Sequence, residues 1–466
     1  MTAPDDGGAA FLAELRAAFD ERTLLAGEAV PQRNRQDWSG LGPVAPLALI
    51  RPATTADVSR AMAICHRHGV AVVPQGGLTG LCGGARPVEG AIALSLERMT
   101  AIEDVDATGG TMTVQAGIAL EKVQQAAAAH DLYMPLDLGA RGSCAIGGNI
   151  ATNAGGNRVI RHGMMRDMVL GIEAVLADGT VITSLNRMIK NNAGYDLKQL
   201  FIGSEGTLGI VTRAVLRLAP MPAFSTAAVC ALDSYDAVLD LLKSARRGLG
   251  PMLSAFEVMW ADYWELVATT PGLRMPLGSG HAFYALIEVQ GTDEVHDRAK
   301  FDAFMEARAQ SGLLADAVLA RSAADVRDFW AVRDAVSEFA RTFGPHVAFD
   351  IGLPVNRMDE FATACRAALA ETLDAPHALF YGHVGDGNLH IVARDRAAQE
   401  LPKQVLAETV YRLVGAFGGT ISAEHGIGLT KRPWLGQTRS TTEIETMARI
   451  KAALDPANLL NPGKVL

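Results

Sequence analysis

Apolar residues recur along this chain in two spacings, short strand-like runs and longer stretches with a helical face, and the two alternate. PLALIRP (46–52) predicts a strand. Thr54 or Thr55 can then cap a helix with Val58, Ala61, Met62 and Cys65 on one face, and Gly69 ends it before a second strand, VAVVP (70–74). TMTVQAG (111–117) and ALEKVQQAAAAH (119–130) repeat the alternation. GIEAVLADGTVITS (171–184) reads as a hairpin turning on Asp178-Gly179, and GTLGIVTRAVLRLAP (206–220) as a closing strand before Pro220 and Pro222 mark a boundary. Beyond it STAAVCAL (225–232), HAFYALIEVQG (281–291) and VAFDIGLPV (347–355) read as strands. YDAVLDLLKSARRG (235–248), EVHDRAKFDAFMEARAQSG (294–312) and SAADVRDFWAVRDAVSEFARTF (322–343) read as amphipathic helices. This order predicts an α+β domain with helices packed on one face of a sheet. No solenoid-period repeat and no low-complexity segment interrupts it.

One reversal raises a chemical question. YGHVGDGNLHIV (381–392) sets His383 and His390 symmetrically about a Gly-Asp-Gly-Asn stretch that suits a tight turn. In a four-residue hairpin loop Val384 would face Leu389, and His383 would sit directly opposite His390, with β-carbons roughly 5 Å apart. Two imidazoles at that separation can share one metal ion. A pair of ordinary hairpin histidines explains these residues equally well.

Composition narrows the classes. The chain has 466 residues, enough for two or three domains, and is 49% hydrophobic and 20% charged, which suits large buried cores. Its net charge of -9 and the lack of any Lys/Arg run argue against nucleic-acid binding. The five cysteines, at 65, 82, 144, 230 and 365, are widely spaced and never in CxxC, so neither a disulfide framework nor a cysteine zinc site is expected, and a reducing cytoplasm is. No signal peptide and no apolar run of membrane-spanning length is read from the sequence.

Two glycine-dense loops stand out, QGGLTGLCGGARP (75–87) and GARGSCAIGGNIATNAGG (139–156). GxG pairs such as 278/280, 385/387 and 426/428 lack the third glycine of GxGxxG, and the Gly463-Lys464 pair lies outside any Walker A pattern, so a nicotinamide Rossmann site and a P-loop are unsupported. Glycines with interspersed Thr, Ser and Asn let backbone amides approach an anion closely, as around a pyrophosphate. These residues favour a dinucleotide site over two surface connectors.

PQGGLTGLCGGA, CAIGGNIATNAGG and NNAGYDLKQLFIGSEGTLGIVT resemble the FAD-binding domain of the vanillyl-alcohol oxidase-like flavoproteins. GHVGDGNLH, SAEHGIG and the terminal NPGK narrow the resemblance to the FAD-linked 2-hydroxy acid dehydrogenases, among them D-lactate dehydrogenase, the glycolate oxidase flavin subunit and D-2-hydroxyglutarate dehydrogenase. The motifs occur in family order from about Pro46 to Leu466. The resemblance implies an N-terminal helical segment (1–45), an FAD-binding domain (46–222), a substrate- and metal-binding domain (223–424) whose helices pack on an antiparallel sheet, and a C-terminal helical segment (425–466) that returns to the FAD domain.

For FAD, the resemblance implies Gly76, Gly77, Thr79 and Gly80 at the pyrophosphate, flanked by Pro74, Gln75 and Leu78. Asp137, Ser143, Gly147, Gly148, Thr152 and Asn153 follow along the flavin, with Glu205, Gly206 and Gly209 near the adenine end and Asn461 from the terminal motif. Gln75 stands where many relatives carry arginine. The first loop holds no histidine, so FAD is expected to be noncovalent, His162 being the nearest other candidate for attachment.

For the metal, the resemblance implies His383, His390 and Glu424 around zinc or another divalent ion, and His425 as general base. A 2-hydroxy acid would complete such a site, its hydroxyl acidified by the metal. Taken alone His425 reads as a capping or core histidine beside Gly426, and the three candidate ligands around it turn the reading to a base. Trp330, Arg333 and Ser337 would share a helical face, where Arg333 could fork onto a carboxylate or pair with Asp334 or Asp328. By resemblance Arg333, Ser337 and Asn388 bind the acid, while Ala348 stands where D-2-hydroxyglutarate enzymes carry lysine. That loss of one charge-assisted contact, worth roughly 1.5–3 kcal/mol, weakens the case for D-2-hydroxyglutarate and strengthens that for a monocarboxylate such as D-lactate.

The expected protein is an FAD-linked D-2-hydroxy acid dehydrogenase, acting on D-2-hydroxyglutarate, D-lactate or D-malate. An electron-transfer flavoprotein or a quinone would reoxidise it, and a homodimer is left open. Two rivals stand: an oxygen-using alcohol oxidase of the same superfamily, and a flavin subunit of a glycolate or D-lactate oxidase complex.

Overall fold

The computed structural model describes residues 6–466. Their contacts form two units, one running through Gly156 and continuing in Gly163–Met221 and Glu424–Leu466, the other made of Asn157–His162 and Pro222–Ala423.

In the first unit the expected strand–helix–strand forms as the pattern dictates. The helix Thr55–His68 starts where the Thr54 hydroxyl accepts the Asp57 amide and stops at Gly69, whose φ of 64° suits glycine. Its buried face carries Val58, Ala61, Met62 and Cys65. A four-stranded sheet runs Leu24–Ala26, Ala48–Ile50, Ile92–Ser95, Val72–Gln75. The N-terminal segment, expected to be helical, holds the helix Asp6–Ala18 but also contributes that first strand, paired antiparallel with Ala48–Ile50. Three residues carry too little pattern to read as a strand, and the segment's first five residues lie outside the described ones. A second sheet of five antiparallel strands is ordered Ile102–Asp106, Thr111–Gln115, Ile210–Arg217, Val169–Val175, Val181–Ser184. Gly179, at φ 91°, turns its last hairpin. The chain end, after the helix Thr441–Leu454, closes the edge of Val72–Gln75: Leu459 O accepts the Val72 amide at 2.7 Å, and Val72 O accepts the Asn461 amide at 2.8 Å.

The second unit is built on one seven-stranded antiparallel sheet, ordered Asp316–Leu319, Phe224–Leu232, Phe283–Gly291, Leu253–Trp260, Pro376–Gly382, Asn388–Asp395, Val347–Gly352. Helices cover both of its faces rather than one. Tyr381 meets Tyr263 of the helix Ala261–Ala268 at 4.7 Å between rings, while its neighbour Phe380 faces the other way, under the Arg366 guanidinium at 4.5 Å. Leu253–Trp260 and Phe283–Gly291 are buried at every position, and a strand buried on both sides needs cover on both sides. Asn157–His162 is tied into this unit by Arg158, whose guanidinium forks onto buried Glu288 at 2.8 and 3.0 Å.

Two local expectations are corrected. The hairpin register pairs His390 with Tyr381, not with His383. His383 belongs to the turn, because the Gly385 amide bonds across to Phe256 O at 3.1 Å instead of closing a four-residue loop. The long helix expected over 322–343 breaks: Ala323–Arg333 is α-helical, Asp334–Glu338 tightens to a 3-10 turn, and Phe339–Thr342 follows.

Candidate flavin cradle and candidate metal centre

The glycine loops of the first unit lie backbone against backbone. A Cβ on Gly77 would overlap Ser143 O, one on Gly156 would overlap Asp137 O, and one on Gly147 would come 2.9 Å from the Ala116 methyl. A Cβ on Gly80 or Gly148, by contrast, would meet nothing within 4 Å. The loops therefore pack through some glycines and present open space at others. Leu78, Asn153, Glu205 and Asn461 all hold φ between 45° and 62°, an uncommon conformation for residues with a side chain and one that collects at ligand sites. The Asn149 Oδ1 is buried without a hydrogen-bond partner. Open glycine backbone, strained loops and an orphaned acceptor fit a bound dinucleotide.

Several expected cofactor residues brace this cradle. The Gln75 amide is committed to Asn34 and to Ala85 O, clamping the loop's two ends. Gly206, at φ 72°, packs on Pro74, and Gly209 leaves room for the Phe201 ring. The Thr152 hydroxyl donates to Gly148 O at 3.1 Å, the Asn153 Oδ1 accepts the Arg166 amide at 2.9 Å, and Asp137 pairs with Arg141 at 2.8 Å. Asn461 donates to Gly84 O and Glu205 O, while Lys464 donates to Gly84 O, Arg86 O and Asn461 Oδ1. The terminal NPGK thus ties the first glycine loop to the segment of Glu205. Burial pushes the Lys464 ammonium down to about 8.

In the second unit His383, His390, Asn388 and Arg333 come together. The two imidazoles lie 5.2 Å apart between ring centres at 78°, so they converge despite the shifted register. Asp350 pairs directly with His390 across the neighbouring strand. The Asn388 Nδ2 donates to Asp350 Oδ1 at 2.9 Å and to Ile351 O at 3.0 Å, and its Oδ1 is buried without a hydrogen-bond partner. Arg333, the last residue of its helix, is only 7% exposed. Its Nε donates to Glu257 Oε2 at 2.9 Å, one terminal nitrogen lies 3.3 Å from Asp334, and the other 3.0 Å from His383 Nε2. The helix break turns Ser337 elsewhere: it is exposed, and its hydroxyl bonds Asp334 O. The expected shared face of Arg333 and Ser337 does not form. His162 is half-buried beside Arg161, and burial together with that charge holds its imidazole down at about 4.

Sequence reading missed Glu257. It lies 1% exposed, its Oε1 2.6 Å from His383 Nδ1. Burial alone would raise its carboxyl, but the neighbouring His383 and Arg333 hold it down at about 2. The signal was there in LSAFEVMW, a lone carboxylate in a wholly apolar-facing run, since a buried charge requires partners.

The chain carries Glu424 and His425 between two anchors. Upstream, Thr420 exchanges backbone hydrogen bonds with Gly352 at 2.8 and 2.9 Å, and the Ser422 hydroxyl lies 3.5 Å from Asp350. Downstream, the Glu205 carboxylate accepts the amides of Ile427 and Gly428 at 2.6 and 2.9 Å. Burial raises the Glu205 carboxyl and those two amides pull it back. Expected to lie near adenine, Glu205 shapes the loop of the SAEHGIG motif.

Comparison with known proteins agrees with this architecture. Residues 46–184 match the family model of an FAD binding domain, and residues 221–465 that of the FAD linked oxidases, C-terminal domain. The mitochondrial D-2-hydroxyglutarate dehydrogenase of Bos taurus is 39% identical over 98% of this chain and 83% of its own. The D-2-hydroxyglutarate dehydrogenase of Xanthomonas citri pv. viticola is 38% identical over 96% of this chain and 97% of its own. Among solved structures, p-cresol methylhydroxylase with substrate bound superposes with a TM-score of 0.78 at 15% identity, over 99% of this chain and 98% of its own, which marks a shared vanillyl-alcohol oxidase-like fold. The protein is an FAD-dependent oxidoreductase of that fold. Within it, the chain belongs to the FAD-linked D-2-hydroxy acid dehydrogenase family.

Proposed function

We propose that the protein oxidises a D-2-hydroxy acid to the 2-oxo acid, with D-2-hydroxyglutarate as first substrate and D-lactate or D-malate as rivals. One observation carries the reading: in the second unit the buried Arg333 guanidinium lies against the His383 imidazole, which in turn faces His390. Such a set suits a small acid whose carboxylate and hydroxyl sit on adjacent carbons. FAD, held noncovalently by residues 74–80, 137–153, 205–209 and 461, supplies the hydride acceptor when bound. Two imidazoles and a carboxylate fit a divalent ion with positions left open, so His383, His390 and Glu424 would hold zinc or a similar ion, which supplies Lewis acidity at the hydroxyl.

The chain's own groups do the rest. Arg333 pairs with the acid's carboxylate. Asn388 offers its buried Oδ1 to a donor on the substrate. His425 takes the hydroxyl proton on an imidazole nitrogen. Ala348 stands opposite Val392 on the face that Asp350 and His390 share, and brings no cation for a second carboxylate. The names of the relatives favour the dicarboxylate and Ala348 the smaller acid. Five buried free cysteines support a reducing cytoplasm, where an electron-transfer flavoprotein or a quinone would be the reoxidant. No helix among the described residues is long and apolar enough to cross a membrane.

Steady-state kcat/KM with an artificial acceptor tests the substrate assignment. D-2-hydroxyglutarate should exceed its L form and exceed D-lactate. A preference for D-lactate would move the assignment to the monocarboxylate, and turnover of L acids alone would overturn the reading.

A further inference from the structure

We infer that Glu257 is a positioning residue for the metal centre, fixing which nitrogen of His383 binds the ion and where Arg333 stands. The inference rests on the proposed role of His383 as a ligand. Each oxygen of the carboxylate has its own partner, Oε1 at 2.6 Å from His383 Nδ1 and Oε2 at 2.9 Å from Arg333 Nε. An ionised carboxylate only accepts, so the proton of the shorter contact belongs to Nδ1. A guanidinium can only donate, and a terminal nitrogen of Arg333 lies 3.0 Å from Nε2, so the lone pair lies on Nε2, the nitrogen an ion would take in place of that guanidinium contact.

The sheet itself builds this arrangement. Val258 pairs with Gly382 and Met259 with Tyr381, so continuing the same register by one residue sets Glu257 opposite His383. The Gly385 amide, bonded to Phe256 O, keeps the turn against that strand. Both acceptor and imidazole are therefore held by backbone pairing, with 1% and 4% of their surfaces exposed. A carboxylate behind a ligating histidine fixes its tautomer and ring orientation and raises its basicity, and losing such a partner weakens metal binding about ten- to a hundredfold.

The test uses full-length, flavin-loaded protein stripped with chelator, titrated with zinc against a chromophoric competitor while flavin absorbance is followed in the same cuvette. Glu257→Gln should bind zinc about ten- to a hundredfold more weakly than wild type with its flavin retained. Because that variant leaves Arg333 short of a counter-charge, a second comparison sets Arg333→Met against Arg333→Met/Glu257→Gln. The same loss is expected between these two, and they decide the matter if Glu257→Gln does not fold. Equal zinc affinity within that pair overturns the role of Glu257. Zinc binding that His383→Ala leaves unchanged overturns the ligand assignment itself, a different outcome read from a different variant.

Discussion

Glu257, Arg333, His383 and Asn388 share one property: each is a polar group on or beside a buried strand, held in place by directed hydrogen bonds to the others or to their neighbours. Asn388 alone of the four keeps a buried acceptor, Oδ1, without a hydrogen-bond partner. The pattern is what a site needs when it must recognise a hydroxyl and a carboxylate by direction as well as by charge. The loop of His425 is shaped by two backbone amides, of Ile427 and Gly428, on the Glu205 carboxylate. Replacing His425 with alanine should leave flavin bound and slow turnover by roughly a hundred- to ten-thousandfold, the usual worth of a general base. Flavin content and kcat measured on one preparation check this, and unchanged kcat would reject His425 as the base.

At the scale of elements, the glycine loops make the sharpest distinction. Gly77 has Ser143 O where a methyl would go, whereas Gly148 faces open space. Gly77→Ala should lower both thermal stability and flavin content. Gly148→Ala should leave the melting of flavin-free protein unchanged and weaken flavin binding alone. Parallel melts with and without added FAD separate the two, and equal behaviour would contradict the cradle. These loops were legible in the sequence because glycine density is itself a statement about close backbone approach. So was the helix Thr55–His68, whose cap, apolar face and terminal glycine all agree. The hairpin register was not, since it depends on a hydrogen bond from Gly385 to a strand far away in sequence. The break after Arg333 was equally hidden: residues 334–338 keep helical composition, and the turn tightens where Arg333 meets buried Glu257 of one strand and His383 of the hairpin turn.

For the whole molecule, motif order and length suggested a flavin-binding part and a second α+β part, and the chain does form two units. What the order of motifs could not convey is that Asn157–His162 leaves the stretch of the glycine loops to join the second unit, held there by Arg158 on Glu288. Nor could it convey that the sheet of that unit is covered on both faces, which is why its strands read as continuous apolar runs. The family relationship makes the chemistry flavin-dependent oxidation of a D-2-hydroxy acid, and the proposed function adds a metal that assists it. Anaerobic reduction of the enzyme-bound flavin tests that most directly, using D- and L-2-hydroxyglutarate with and without prior chelation. The account predicts rapid bleaching by the D enantiomer alone, lost after chelation and restored by zinc. Bleaching at an undiminished rate in metal-stripped protein would contradict it.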